Sequence, residues 1–291
     1  MRRIAPGHWI LAATLLIPST GAPQDVAWED GEKSLCRIIA EYDARSDVPS
    51  LFEQFEHAAF EAGHCLDPEG CDIRAPMRFE GSVEIAPLLV TSAEGEELDR
   101  VIGAVAASVE YGGAFLARAT GLDVAVSLKP ERAADHRMVL IIRDEAVLDA
   151  AAEAGASETF IVSETFRESY GLGLACFTEP YFDAAGRKAD TVSYIVADLP
   201  LETLATCVKS EIVSAAGLGS LIGGEGIWED DWGRGENQGL AGTSYSVRDW
   251  ALLRLLYHPD VPPETPRAEV MSILNDWHAE TCEAEDDDRT E

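Results

Sequence analysis

The chain has 291 residues, 46% of them hydrophobic, and a formal net charge of -31 at pH 7. The length suits one large domain or two small ones, and the hydrophobic fraction is normal for a globular protein. Because so much negative charge repels phosphate backbones and anionic lipid surfaces, it argues against nucleic acid or an anionic membrane as a partner.

Residues 1–22 have the pattern of a secretory signal peptide. Arg2 and Arg3 give a positive start, residues 9–17 form a short apolar core, and small residues follow at 18–22. The apolar core is short for a bilayer span, so we expect no stable membrane insertion once the signal is removed. An N-terminal anchor is the alternative. The segment predicts a periplasmic or secreted protein.

Residues 23–75 predict a small helical N-terminal section. Apolar residues recur at helical spacing around 35–42 and again around 52–60. His57 and His64 lie seven residues apart and could share one helix face. We favour two partly exposed histidines over a metal pair, because such short patterns often occur by chance.

Residues 76–280 predict one α+β domain. The first strand covers 79–90 and a long helix covers 93–120, in which Gly112 and Gly113 are a candidate kink. A short helix is predicted at 145–153, whereas 159–170 is ambiguous between strand and helix. Further strands are predicted at 124–128, 138–142, 172–182 and 191–197, with 138–142 as a central strand.

The most informative segment is 207–218, C-V-K-S-E-I-V-S-A-A-G-L, which predicts a helix ending at a glycine. Ser210 and Ser214 are four residues apart, so they project from one face, and Glu211 lies between them. With histidine at both serine positions, the segment would read H-E-x-x-H-x-x-G-L, the helix of a zinc protease. Since neither histidine is present, we expect no metal and no cofactor. An ordinary amphipathic helix with a glycine cap is the alternative.

The order of elements resembles the zincin fold. That fold has a mixed β-sheet with a long backing helix, followed by a second helix that carries the metal motif. The resemblance therefore predicts a zincin-like domain with a degenerate active-site helix.

The sequence after this helix contains an acidic loop, two helices and a tail. Residues 217–242 are rich in glycine and acid, and they favour a solvated loop because calcium-loop spacing is missing. Ser246 and Asp249 predict a capping box at the start of a helix over 246–257. A final helix is predicted at 269–279, and residues 281–291 are expected to be a disordered acidic tail.

The chain resembles an exported bacterial family of unknown function, domain-of-unknown-function family twenty-nine twenty-seven, over about residues 75–260. Its helix motif, C-x-x-E-E-x-x-Q-x-L-G-L, is matched by Cys207, Glu211, Gly217 and Leu218. Its closing helix motif is matched most specifically, by residues 245–259. The resemblance implies a zincin-like fold without an established activity.

The six cysteines suggest disulfides, because their number is even and the chain is expected to be exported. Six cysteines allow fifteen pairings. Cys176 is predicted on a strand and Cys207 on the next helix, which also opens with a cysteine in the resembling family, so we predict that these two pair. The other predicted pairs are Cys65 with Cys71 and Cys36 with Cys282.

These observations favour a non-catalytic exported protein with a binding or structural role in the cell envelope. Its partner would be an unknown protein or peptide. The alternative is a peptidase-like hydrolase that uses Glu211 with a non-standard metal or with Ser210 or Ser214 as a nucleophile. If the zincin-like fold is kept without its metal, Glu211 is expected in a cleft, near the two serines and residues 227–229. The alternative is that Glu211 lies on a solvated helix face.

Overall fold

The computed structural model describes seven stretches of the chain. Several predictions fall outside them: the signal peptide, residues 146–170, most of the acidic loop, residues 284–291 of the acidic tail, His64 and the Cys65–Cys71 pair. The first residues of the predicted tail, 281–283, are not disordered but belong to a helical turn in which Cys282 is held by a disulfide. The described stretches are 32–46, 49–60, 75–127, 134–145, 176–183, 187–219 and 245–283.

Five strands within the described stretches form one mixed sheet, in the order β2-β1-β3-β5-β4. The first, second, third and fifth strands are parallel, whereas β4 pairs antiparallel with β5 at one edge. The predicted central strand, 138–142, lies within β3 in the middle of the sheet. The strands are β1 (Ser82–Val90), β2 (Asp123–Val126), β3 (His136–Arg143), β4 (Cys176–Phe182) and β5 (Lys188–Val196).

Helices and this mixed sheet together confirm the predicted α+β fold. The long predicted helix is α3, which runs without a break through Gly112 and Gly113. The helices in the described stretches are α1 (Glu32–Asp43), α2 (Leu51–Phe60), α3 (Gly95–Thr120), α4 (Leu201–Ala216), α5 (Val247–Leu256) and α6 (Arg267–His278), and a π-helical turn (Ala279–Glu283) follows α6.

Helices α3 and α4 cover the same face of the sheet. A Cβ at Gly113 of α3 would contact Ile85 of β1, and Thr178 of β4 bonds to α4. The strand register places Ile85 and Thr178 on one face, because side chains alternate along each strand. Fully buried apolar side chains of β3, among them Leu140, fill the layer between this face and the helices.

The end of α4 is fixed by contacts with a distant segment. Gly217 caps the helix with a φ of +114°, and a Cβ there would lie 1.9 Å from the Met77 carbonyl oxygen. The Lys188 ammonium donates to the carbonyls of Met77 and Ala215. The Tyr257 hydroxyl donates to the Ala216 carbonyl. The bonds to Ala215 and Ala216 satisfy carbonyls that a helix end leaves without a partner in the helix.

The helical N-terminal section packs against the C-terminal helices. Helices α1 and α2 contact α5, and the Cys36–Cys282 disulfide joins α1 to the turn after α6. The predicted capping box is confirmed at α5: the Ser246 side chain accepts from the Asp249 N–H, and the Asp249 carboxylate accepts from the Ser246 N–H. Among the described residues, no helix combines the length and apolar composition needed to cross a membrane.

Candidate functional site

Helix α4 places Glu211 against the β4–β5 edge of the sheet. The helix begins directly after Pro200, and its buried apolar residues hold it against the sheet and α3. Glu211 lies among these buried positions and is 1% exposed. The carboxylate is therefore inside the protein, and Glu211 does not lie on a solvated face of the helix.

The partner of the Glu211 carboxylate is a hydroxyl on β4. Thr178 Oγ1 donates to Glu211 Oε2 at 2.5 Å. The same Thr178 oxygen lies 2.6 Å from Ser193 Oγ on β5. Because a hydroxyl has one proton, an ionised Glu211 requires the chain to run from Ser193 to Thr178 to Glu211. A protonated Glu211 can donate to Thr178 instead, and the chain then runs in the opposite direction.

Burial raises the pKa of Glu211 to about 7, although hydrogen bonds from Thr178 and Ser210 oppose the shift. Taking a carboxylate out of water disfavours its charged form. The site is therefore a buried carboxyl that exchanges its proton near neutral pH and retains a hydroxyl partner in both states.

The two serines of the helix have smaller roles at this carboxylate than Thr178. Ser210 Oγ donates to the Cys207 carbonyl at 3.0 Å, so its single proton is not available to Glu211 at the same time. Ser214 is half-buried one turn further along the helix. The expected neighbours at 227–229 lie outside the described residues.

The Cys176–Cys207 disulfide lies beside the hydrogen bond between Thr178 and Glu211. It joins β4 to α4 with a Cα–Cα distance of 5.8 Å. This pair and Cys36–Cys282 are two of the three predicted disulfides, and both predictions are confirmed. The predicted site residue Cys207 thus lies one turn from Glu211 on the helix.

No group of three or more His, Cys, Asp or Glu side chains within the described stretches is arranged to hold a metal ion. His57 is half-buried on α2. Ser210 and Ser214 flank Glu211 on the helix, and hydroxyls are not among the usual zinc ligands.

The sequence reasoning missed Thr178 and Ser193. One signal was present: Cys176 and Thr178 are two residues apart on a strand, so their side chains point to the same face. Since Cys207 and Glu211 are one helical turn apart, the predicted disulfide should bring Thr178 opposite Glu211. Ser193 has no comparable signal, because its place depends on the register between β4 and β5.

No protein-family model, curated protein sequence or solved structure matches this chain. The fold and the site define an α+β protein with a buried carboxyl–hydroxyl cluster between the edge strand β4 and helix α4. The resemblance to an exported family remains a prediction.

Proposed function

We propose that this chain is an exported, non-catalytic protein with a zincin-like scaffold, which serves a binding or structural role in the cell envelope. The observation that carries the proposal is the state of Glu211. This carboxylate is buried and bonded to Thr178, and the positions at which a zinc protease has histidine hold Ser210 and Ser214.

The fold supports the zincin-like part of the proposal. A mixed sheet carries the long helix α3 on one face, and α4, which follows β5 in the chain, lies on the same face. This order and layering are those that the resemblance implies. General rules of layer packing also favour helices on a sheet, so the identity of α4 as a former metal helix rests on Glu211 and its spacing.

The chemistry of Glu211 supports the absence of catalysis. A zinc protease needs a metal to lower the pKa of its attacking water, and a glutamate alone does not supply that effect. Glu211 is already engaged with a protein hydroxyl, so in this arrangement it stabilises the contact between α4 and β4.

Disulfides support the extracytoplasmic part of the proposal. Disulfide bonds persist mainly in oxidising compartments. Together with the predicted signal peptide, the pairs Cys36–Cys282 and Cys176–Cys207 favour a periplasmic or secreted protein. The partner would be a protein or peptide.

One observation favours a hydrolase as a second candidate. Thr178 and Glu211 form a hydroxyl–carboxyl pair, and a pKa near neutral pH suits a general base. In such an enzyme Thr178 would be the nucleophile, in place of the serines that the sequence suggested. We favour the non-catalytic function, because Glu211 and Ser193 are fully buried and Thr178 is half-buried.

Metal content and turnover separate these functions. Protein purified from the periplasm should contain far less than one zinc per chain and should not turn over a panel of peptide and ester substrates. Stoichiometric zinc would contradict the proposal. So would turnover that is lost in Glu211→Ala, Ser214→Ala or Thr178→Val but kept in a variant of an exposed carboxylate, Glu97→Gln.

A further inference from the structure

Two neighbouring links join the edge strand β4 to helix α4. One is the Cys176–Cys207 disulfide and the other is the Thr178–Glu211 hydrogen bond. Two residues along a strand cover about 7 Å, and four residues along a helix cover about 6 Å. The two links are therefore about as far apart along β4 as they are along α4, so they lie side by side. The disulfide thus fixes the helix–strand separation that buries Glu211.

The rest of α4 is anchored elsewhere. Its side packs against α3, and its last carbonyls accept from Lys188 and Tyr257. Within the described stretches β4 pairs with β5 alone, because it is an edge strand. When the covalent link is cut, the described contacts that still hold β4 are its pairing with β5 and its noncovalent contacts with α4, so the separation of β4 from α4 no longer has a covalent limit.

The side chains known to bond or contact Glu211 are uncharged. They are the hydroxyls of Thr178 on β4 and Ser210 on α4, and Thr178 connects the carboxyl to the hydroxyl of Ser193 on β5. Charged groups on the packed elements are directed elsewhere. Glu179 of β4 points to the opposite face of the sheet by strand alternation, Lys188 of β5 binds the end of α4, and Lys209 of α4 lies over the Tyr111 ring of α3. Burial is accordingly the main cause of the raised Glu211 pKa.

We propose that the Cys176–Cys207 disulfide controls the protonation of Glu211. With the disulfide closed, α4 and β4 stay together and the carboxyl holds its proton. When a dithiol reductant opens the disulfide, β4 separates from α4, water reaches the carboxyl and the proton is released. The protein thereby converts a redox event into a change of charge on α4, independently of any metal or catalytic activity.

The exchange reaction is balanced for atoms and electrons. A thiolate of the dithiol attacks the Sγ of Cys176, which is the more exposed cysteine, and the Cys207 sulfur leaves. The second thiol of the reductant then displaces Cys176 and closes its own disulfide. Two electrons and two protons pass to the protein cysteines, so at a pH below the thiol pKa values no net proton is released by the sulfur chemistry. A released proton must come from another group.

The test is the equilibrium constant for exchange between the full protein and a dithiol, measured over about pH 5 to 7. After acid quenching and alkylation, peptide mapping gives the reduced fraction of each cysteine pair. We expect the constant for Cys176–Cys207 to rise about tenfold per pH unit, which corresponds to about 30 mV for a two-electron couple. It should level off above about pH 7, where Glu211 is ionised in both redox states.

The chain contains its own control. The Cys36–Cys282 pair, which joins α1 to the turn after α6, should have an exchange constant that does not vary over this pH range. Glu211→Gln keeps the size of the side chain and should make the constant for Cys176–Cys207 equally flat. A pH-independent constant in the unmodified protein would overturn the proposal without any variant. A slope that persists in Glu211→Gln would also overturn it.

Discussion

Glu211 is a buried carboxyl whose stabilising contribution depends on pH. Its pKa is raised to about 7, above its ordinary value of 4.5. A group whose pKa is raised by folding contributes stability below its unfolded-state pKa, and this contribution is lost as the pH rises through the folded-state pKa. For Glu211 the loss falls between about pH 4.5 and 7.

Substitution by glutamine should remove this pH dependence. Each unit of pKa shift corresponds to about 1.4 kcal/mol, so the free energy of unfolding should fall by roughly 3 kcal/mol more in the unmodified protein than in Glu211→Gln across this range. Denaturant unfolding at several pH values measures the difference. The exposed control, Glu97→Gln on α3, should keep the fall of the unmodified protein. If the free energy of unfolding of Glu211→Gln varies with pH as that of this control does, Glu211 is not a buried carboxyl.

The Thr178 hydroxyl should be important for stability despite its position on an edge strand. Thr178→Val keeps the shape of the side chain but leaves Glu211 Oε2 and Ser193 Oγ without their shared partner. The expected cost is about 1–3 kcal/mol in the free energy of unfolding, because unsatisfied buried polar groups are costly. Thr178→Ser retains the hydroxyl and should lose clearly less. Equal losses in the two variants would show that the hydroxyl has little effect.

The sequence predicted that Glu211 faces inward with Ser210 as a neighbour, but it did not predict the partner Thr178. Glu211 was found because it lies between Ser210 and Ser214 at the spacing of a zinc-protease helix. Lys188 was missed, because the sequence around 183–188 reads as a turn. Its burial depends on Met77 and Ala215, which are far apart in the chain and approach only in the fold.

At the scale of elements, the crossing of α3 and α4 explains why Gly112, which the sequence suggested as the site of a kink, is a glycine. A Cβ at Gly112 would lie 2.5 Å from Ile212 Cδ1 and 2.7 Å from Tyr245 Oη. The helix is continuous there, and the missing side chain allows Ile212 of α4 and Tyr245 to approach closely.

Alanine substitution on α3 should therefore have opposite effects at two glycines. Gly112→Ala should cost about 1–3 kcal/mol, because the added methyl overpacks the contact with α4. Gly103→Ala should stabilise by about 0.5–1 kcal/mol, because a Cβ at Gly103 meets nothing within 4 Å and alanine favours the helix. Thermal or denaturant unfolding of the two variants checks the prediction, and a stabilised Gly112→Ala would contradict the helix crossing.

The elements themselves were largely predictable, because each described helix and strand has a local signal. Hydrophobic periodicity located α3 and β3, and the residue types at Ser246 and Asp249 located the start of α5 to the residue. The order of strands in the sheet was not predicted, because it depends on which long-range pairs form and not on any local pattern.

At the scale of the whole molecule, the two described disulfides close loops of very different size. Cys36 and Cys282 are separated by 246 residues, whereas Cys176 and Cys207 are separated by 31. The chain-entropy model gives roughly 5.5 kcal/mol for the first and roughly 3.7 kcal/mol for the second.

The double variant Cys36→Ser/Cys282→Ser should therefore lose more stability than Cys176→Ser/Cys207→Ser. The free energies of unfolding of the two variants, measured by denaturant under the same conditions, give the comparison. A larger loss from the shorter loop would mean that local contacts between β4 and α4 outweigh the entropy of the unfolded chain.

The disulfide between α1 and the turn after α6 also has a consequence for biosynthesis. Cys36 is the first of the six cysteines to be synthesised and Cys282 is the last. Cysteines that oxidise in the order in which they emerge would join Cys36 to a wrong neighbour, and correction requires thiol–disulfide exchange that takes minutes to hours without a catalyst. Maturation of this protein should accordingly depend on a disulfide isomerase, since an oxidant alone fixes the first pair formed.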